Sequence, residues 1–99
     1  MIFYKTKRMN YENAHYACEK GNFNELRRCV NDGMSATQED DMGSTPMSIA
    51  CQGGHFDLVK WLHANGAATD VTRARNDGVT PMFIACQKGH FKIVKWLYE

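Results

Sequence analysis

No apolar run in the sequence approaches the ~20 residues that would cross a bilayer as a helix, so a membrane partner is not expected. Net charge is scarce too. Twelve basic residues against 11 acidic leave +1 over 99 residues, and bulk attraction to nucleic-acid phosphates has no basis at that charge. Ligand spacing for zinc is missing: four cysteines and four histidines contain no Cys-x2-Cys and no His-x3–5-His pair. Gly53-Gly54 lacks the lysine and hydroxyl of a phosphate loop, and no paired carboxylates fall on predicted elements. No enzyme activity, metal or cofactor is therefore expected. The first nine residues put four apolar or aromatic side chains before their positive charges, the reverse of a secretory signal. That order leads to the expectation of a cytoplasmic protein, or a nuclear one.

What the sequence does contain is repetition. Gly43 to Ala64 laid on Gly78 to Glu99 matches at 15 of 22 places, with an offset of 35 residues between Thr45 and Thr80. Such self-similarity decides the architecture before any single element is assigned. A weaker copy precedes both, offset by 33: Ala17-Cys18 aligns with Ala50-Cys51, Gly21 with Gly54, Phe23 with Phe56 and Gly33 with Gly66. A terminal repeat facing water is expected to lose apolar residues in this way.

Each copy reads as two short helices. In the first, Tyr11, Ala14, Ala17 and Cys18 share one helical face, Gly21 ends the helix, and Asn22 caps a second one carrying Phe23, Leu26, Cys29 and Val30. In the second, Thr45 and Pro46 supply a hydroxyl N-cap and a proline where its missing N–H costs nothing. Gly53-Gly54 breaks that helix, the partner begins at His55-Phe56, and Asn65-Gly66 closes it. Thr80-Pro81 and Gly89 repeat the signals. Helices this short are unstable alone, so stacking must supply the stability. Cys18, Cys51 and Cys86 recur at one register, about 8–10 Å apart if the helices stack, which is beyond disulfide reach and predicts small buried thiols. Trp61 and Trp96 share a register as well, favouring packing between adjacent repeats over a role as partner anchors.

The threonine–proline start, the alanine four residues after the proline, and glycine–histidine with a closing glycine at this spacing resemble the ankyrin repeat. The resemblance covers roughly residues 10–99. It implies an all-α, ankyrin-repeat solenoid of about three helix-turn-helix repeats joined by β-hairpin-like loops. Its expected divisions are a tail over 1–9, a degenerate first repeat over 10–42, a second over 43–77 and a truncated third over 78–99. Thr45-Pro46-Met47-Ser48 and Thr80-Pro81-Met82-Phe83 lack the histidine that the family carries in its Thr-Pro-Leu-His start, so one source of bonding between repeats is expected to be missing. The first repeat keeps a histidine there, His15.

The resemblance further implies a concave protein-binding surface of loop fingers and first helices. Carried over by position, it comprises Glu19 and Lys20, then Asp41, Met42, Ser44, Gln52 and Gly53, then Asn76, Asp77, Val79, Gln87 and Lys88. The expected function is a non-catalytic protein–protein interaction module, and alanine at Asp41, Met42, Gln52, Asn76 and Gln87 is expected to weaken capture of its protein partner. The two fingers differ in sign, Glu39-Asp40-Asp41 against Arg73 and Arg75, which suits steering of a complementary partner. The alternatives are a spacer or capping segment of a longer array, self-association through an uncapped C-terminal repeat, or an inhibitor that inserts the longer 70–77 loop into an enzyme cleft. The third repeat's apolar residues, Phe83 included, favour a covered end, because a terminal repeat needs a polar outer face.

Overall fold

The computed structural model describes residues 14–99. The expected tail and the start of the first helix at Asn10 lie outside the described residues. Six α-helices follow in pairs: α1 over 14–20, α2 (Phe23–Asn31), α3 (Pro46–Gly53), α4 (Phe56–Leu62), α5 (Pro81–Gln87) and α6 (Phe91–Tyr98). Among the described residues there is no strand. The loops expected to be hairpin-like are turns. Asp40 N–H donates to the Ser44 carbonyl and Gly43 N–H to that of Asp40, and Arg75, Val79 and Gly78 repeat the pair of bonds one repeat on. Two ladder bonds close a tip without extending into a strand.

Local chemistry starts the helices where the sequence predicts. Asn22 accepts from the Glu25 N–H, and Thr80 from that of Phe83. Thr45 does more: its hydroxyl accepts from Ser48 N–H while Ser48 Oγ accepts from Thr45 N–H, a reciprocal capping box. Ser48, which stands where the family carries histidine, therefore has its own structural use and is buried. Gly54 closes α3 in the left-handed region, at φ 76°. After α4 the backbone breaks at Asn65 and at Gly66 (φ 109°) and re-enters a 3-10 turn, Ala68–Thr72, which the sequence reading did not foresee. That turn packs on α3 and α5 and takes up part of the longer second connection.

The helix pairs stack through α3 on α5 and α4 on α6. Small residues at the contacts, Ala14, Ala17, Ala50 and Ala85, let the helices approach, and Leu26, Met47, Leu58, Leu62 and Ile93 fill the layer. Each such large side chain contributes about 1.5–3 kcal/mol on burial. Trp61 meets Phe23 edge-on with ring centroids 5.8 Å apart, and Trp96 meets Phe56 at 6.2 Å. Both indoles thus pack against the preceding unit, as their shared register predicts.

One expectation fails at Cys86. Cys18 and Cys51 are fully buried, but Cys86, at the same register, is exposed. The residue type is unchanged and the environment is not: α5 covers α3, and no described element covers α5 in the same way. Phe83 (55% exposed), at the register of buried Ser48, shows the same asymmetry.

Candidate binding surface

Two exposed rows contain most of the positions carried over from the family resemblance. The first is made of finger tips. Asp40 builds one of them, its Oδ1 accepting from the N–H groups of Met42 and Ser44, each at 2.9 Å. Asp77 does the same in the next finger, accepting from Val79 N–H at 3.1 Å. The fingers are joined. Asn76 N–H donates to the Met42 carbonyl at 2.9 Å, and its Nδ2 donates to the Asp41 carbonyl at 3.0 Å. Asp41, Met42, Asn76 and Asp77 are exposed on these tips, with Val79 half-buried. Ser44 is buried, 8% exposed, so it adds little to the surface. A Cβ added at Gly43 would lie 2.6 Å from Asn76 Oδ1 and 3.0 Å from its backbone nitrogen, which explains a glycine at that position.

The second row runs along the ends of the first helices. Glu19 and Lys20 end α1, Gln52 and Gly53 end α3, and Gln87 and Lys88 end α5; all six are exposed. Histidines bind this row together from below. His55 Nε2 lies 2.9 Å from the Glu19 carbonyl, and His90 Nε2 lies 3.0 Å from that of Gln52. A carbonyl can only accept, so Nε2 carries the proton in each ring. The rings sit against glycine: a Cβ on Gly54 would fall 2.6 Å from His90, and one on Gly21 2.6 Å from His55. Bonding between units, expected to be lost with the missing family histidine, is supplied instead by the recurrent His55 and His90. Their recurrence was visible in sequence; their acceptors, 36 and 38 residues away, were not. The two rows flank the first helices, separated by roughly the 12 Å that eight helical residues span.

Some of the charges on the two connections are paired. Arg73 pairs with Glu39 across the two connections and lies 3.5 Å from Asp70, and Arg75 holds Asp77 at 2.7 Å. One pair, Arg73 with Glu39, joins the two fingers, while Arg75 is paired within its own finger. The Arg75 guanidinium and the Val79 N–H hold the Asp77 carboxyl below the usual carboxylate range. Asp70, buried on the 3-10 turn with Oδ2 unbonded among the described residues, is the functional-looking residue that sequence reasoning passed over. Burial raises its pKa, with Arg73 opposing. His15 Nε2–H donates to the Gln38 carbonyl at 2.8 Å and so ties α1 to the first finger.

The described residues contain no group of three or more histidine, cysteine or acidic side chains arranged to hold a metal ion. No helix among them is long and apolar enough to cross a membrane.

Comparison with known proteins agrees with this geometry. The family model of ankyrin repeats in three copies matches residues 14–99. Osteoclast-stimulating factor 1 of Bos taurus is 40% identical over 48 residues, 48% of this chain and 22% of the relative. Protein phosphatase 1 regulatory subunit 27 of Homo sapiens is 36% identical over 63 residues, 64% of this chain and 41% of the relative. An ankyrin repeat-containing protein of Saccharomyces cerevisiae is 30% identical over 64 residues, 65% of this chain and 12% of its own length. The chain thus spans less than half the length of each of these relatives. With the repeat register, the capped helix pairs and a family match over nearly the whole length, the chain belongs to the ankyrin-repeat family.

Proposed function

We propose that this chain is a non-catalytic protein-binding module that presents the finger tips and the ends of α1, α3 and α5 to a protein partner. The observation that carries the reading is the cross-bracing of both exposed rows. Asn76 ties finger to finger, and His55 and His90 tie helix end to helix end. Side chains held in a fixed register lose little freedom on binding, which favours affinity without new contacts. Ankyrin repeats are generally protein-interaction modules, and one relative, a phosphatase regulatory subunit, is of the same kind by name. The exposed thiol of Cys86 suits a reducing compartment, in keeping with the cytosol or nucleus.

The test begins with capture of partners on the immobilised chain and identification by mass spectrometry. The Kd of a confirmed partner is then measured for the triple variant Met42→Ala, Gln52→Ala, Gln87→Ala. Asn76 is left intact, because its amide braces the fingers and its loss would confound the result. A rise in Kd of about tenfold or more, with unchanged circular dichroism, is expected for side chains at the centre of an interface. An unchanged Kd would reject the surface.

A further inference from the structure

Charge is segregated between the fingers and the helices. The two connections, residues 35–44 and 67–79, hold Glu39, Asp40, Asp41, Asp70 and Asp77 against Arg73 and Arg75, a net −3. The other described residues carry seven basic side chains against five acidic, a net +2. Pairing sharpens the difference. Arg75 is taken up by Asp77, with bonds of 3.2 and 2.7 Å. Arg73 is shared, with one nitrogen on Glu39 and another 3.5 Å from Asp70 Oδ1. Asp70 is 2% exposed, and its Oδ2 has no hydrogen bond among the described residues. Two carboxylates thus divide one guanidinium, and the buried one is left short of a donor. In the first finger, Asp40 has the His15 ring 3.8 Å away, and exposed Asp41 has no ion pair among the described residues. Beside Asp41, Met42 projects 64% exposed from a backbone fixed on both sides. Its N–H donates to Asp40 Oδ1, and its carbonyl accepts from Asn76 N–H. A thioether next to an unpaired carboxylate suits a long cationic side chain, whose methylene stem covers the one while its charge meets the other.

We propose that the finger surface takes a basic segment of a protein partner, rich in arginine or lysine. One cationic side chain lies along Met42 to reach Asp41, and a second meets Glu39. The inference rests on the binding surface proposed above and names the chemistry of its partner. The second cation relieves Arg73 of Glu39, and Arg73 then serves Asp70 alone. The same surface repels nucleic acid and anionic lipid. The positive helices repel the basic segment that the fingers attract, so the asymmetry of charge orients the encounter as well as driving it.

The probe is a nine-residue peptide of alternating arginine and serine, labelled with an uncharged dye, beside a counterpart with glutamate for arginine. Each is titrated with the full chain and followed by fluorescence anisotropy. The arginine peptide is expected to bind saturably and to weaken severalfold between about 50 and 150 mM salt. Glu39→Gln with Asp41→Asn is expected to raise its Kd about tenfold, since each exposed pair contributes up to about fivefold. Met42→Ala is expected to raise it about threefold through the lost cover for the methylene stem. Asp57→Asn removes a carboxylate 89% exposed on the helix side and is expected to leave Kd unchanged. Equal loss from Asp57→Asn, equal binding of the glutamate peptide, or no saturation up to about 1 mM chain overturns the proposal. A rise in mass with concentration by light scattering that Glu39→Gln with Asp41→Asn abolishes overturns it too, and assigns the fingers to the helices of a second copy. The two readings fail separately. A confirmed partner weakened by the triple variant at Met42, Gln52 and Gln87, but indifferent to salt and to Glu39→Gln with Asp41→Asn, keeps the surface and refutes the basic segment. A partner indifferent to both sets of variants refutes the surface itself.

Discussion

Replacing His90 with alanine removes the bond from Nε2 to the Gln52 carbonyl and the ring that lies against Gly54. The expected loss is about 1 kcal/mol in urea unfolding, typical of one hydrogen bond. Gly54→Ala costs more, since φ 76° alone penalises a Cβ by about 1–2 kcal/mol and the new carbon would fall 2.6 Å from His90. The two changes should not add. With His90 gone the clash goes too, and the double variant should be more stable than the sum of the single losses implies. Strict additivity would mean that ring and glycine do not meet. The thiols give a second reading at this scale. Burial pushes Cys18 and Cys51 up to about 12, from an ordinary value of 9.0. The folded state therefore keeps protons that the unfolded state releases above pH 9. Their contribution is complete below that pH and falls by about 1.4 kcal/mol per pH unit for each thiol as pH rises toward 12. Urea midpoints between pH 8 and 11 should fall steeply, and more gently in a Cys18→Ala, Cys51→Ala variant.

Helix starts differ between the second and third units in a measurable way. Thr45 and Ser48 form a reciprocal box inside the stack, whereas Thr80 makes one capping bond near the open face, with Phe83 in place of the serine. Thr45→Ala should cost about 1–2 kcal/mol and Thr80→Ala distinctly less, within the range measured for N-caps. Equal losses would show that the box adds nothing. This element scale is where the sequence was most legible. Thr-Pro starts, glycine stops and the Asn22 cap are local chemistry, written in residues three or four apart. The 3-10 turn at Ala68–Thr72 was not legible, because its reason is packing on α3 and α5. The acceptors of His55 and His90 were hidden for the same kind of reason: they belong to the stacking offset, not to either segment. Cys86 is the clearest case. Its neighbours in sequence repeat those of Cys51 almost letter for letter, and only the presence or absence of a covering unit separates a buried thiol from an exposed one.

At the scale of the whole molecule, stacking provides two kinds of surface that the sequence pattern alone could not separate. Most residues that recur between copies form the core and the histidine braces, while Gln52 and Gln87 recur on the exposed row and the Asn76 brace has Asp41 at its register. Exposed residues at the finger tips and helix ends, conspicuously Gly53 against Lys88, differ or stand free between those braces. The carried-over site was legible as a set of positions, because the register is regular. The burial of Ser44 and the bracing role of Asn76 were not, since each depends on how one finger lies on the next. The measurement that bears most directly on the proposed function is a hydrogen-exchange footprint of a confirmed partner on this chain. The account predicts slowed exchange in two clusters, at residues 41–44 with 76–79 and at 52–53 with 87–88. Protection confined to the second-helix faces around Arg27, Lys60 and Lys92, with both rows unchanged, would contradict it.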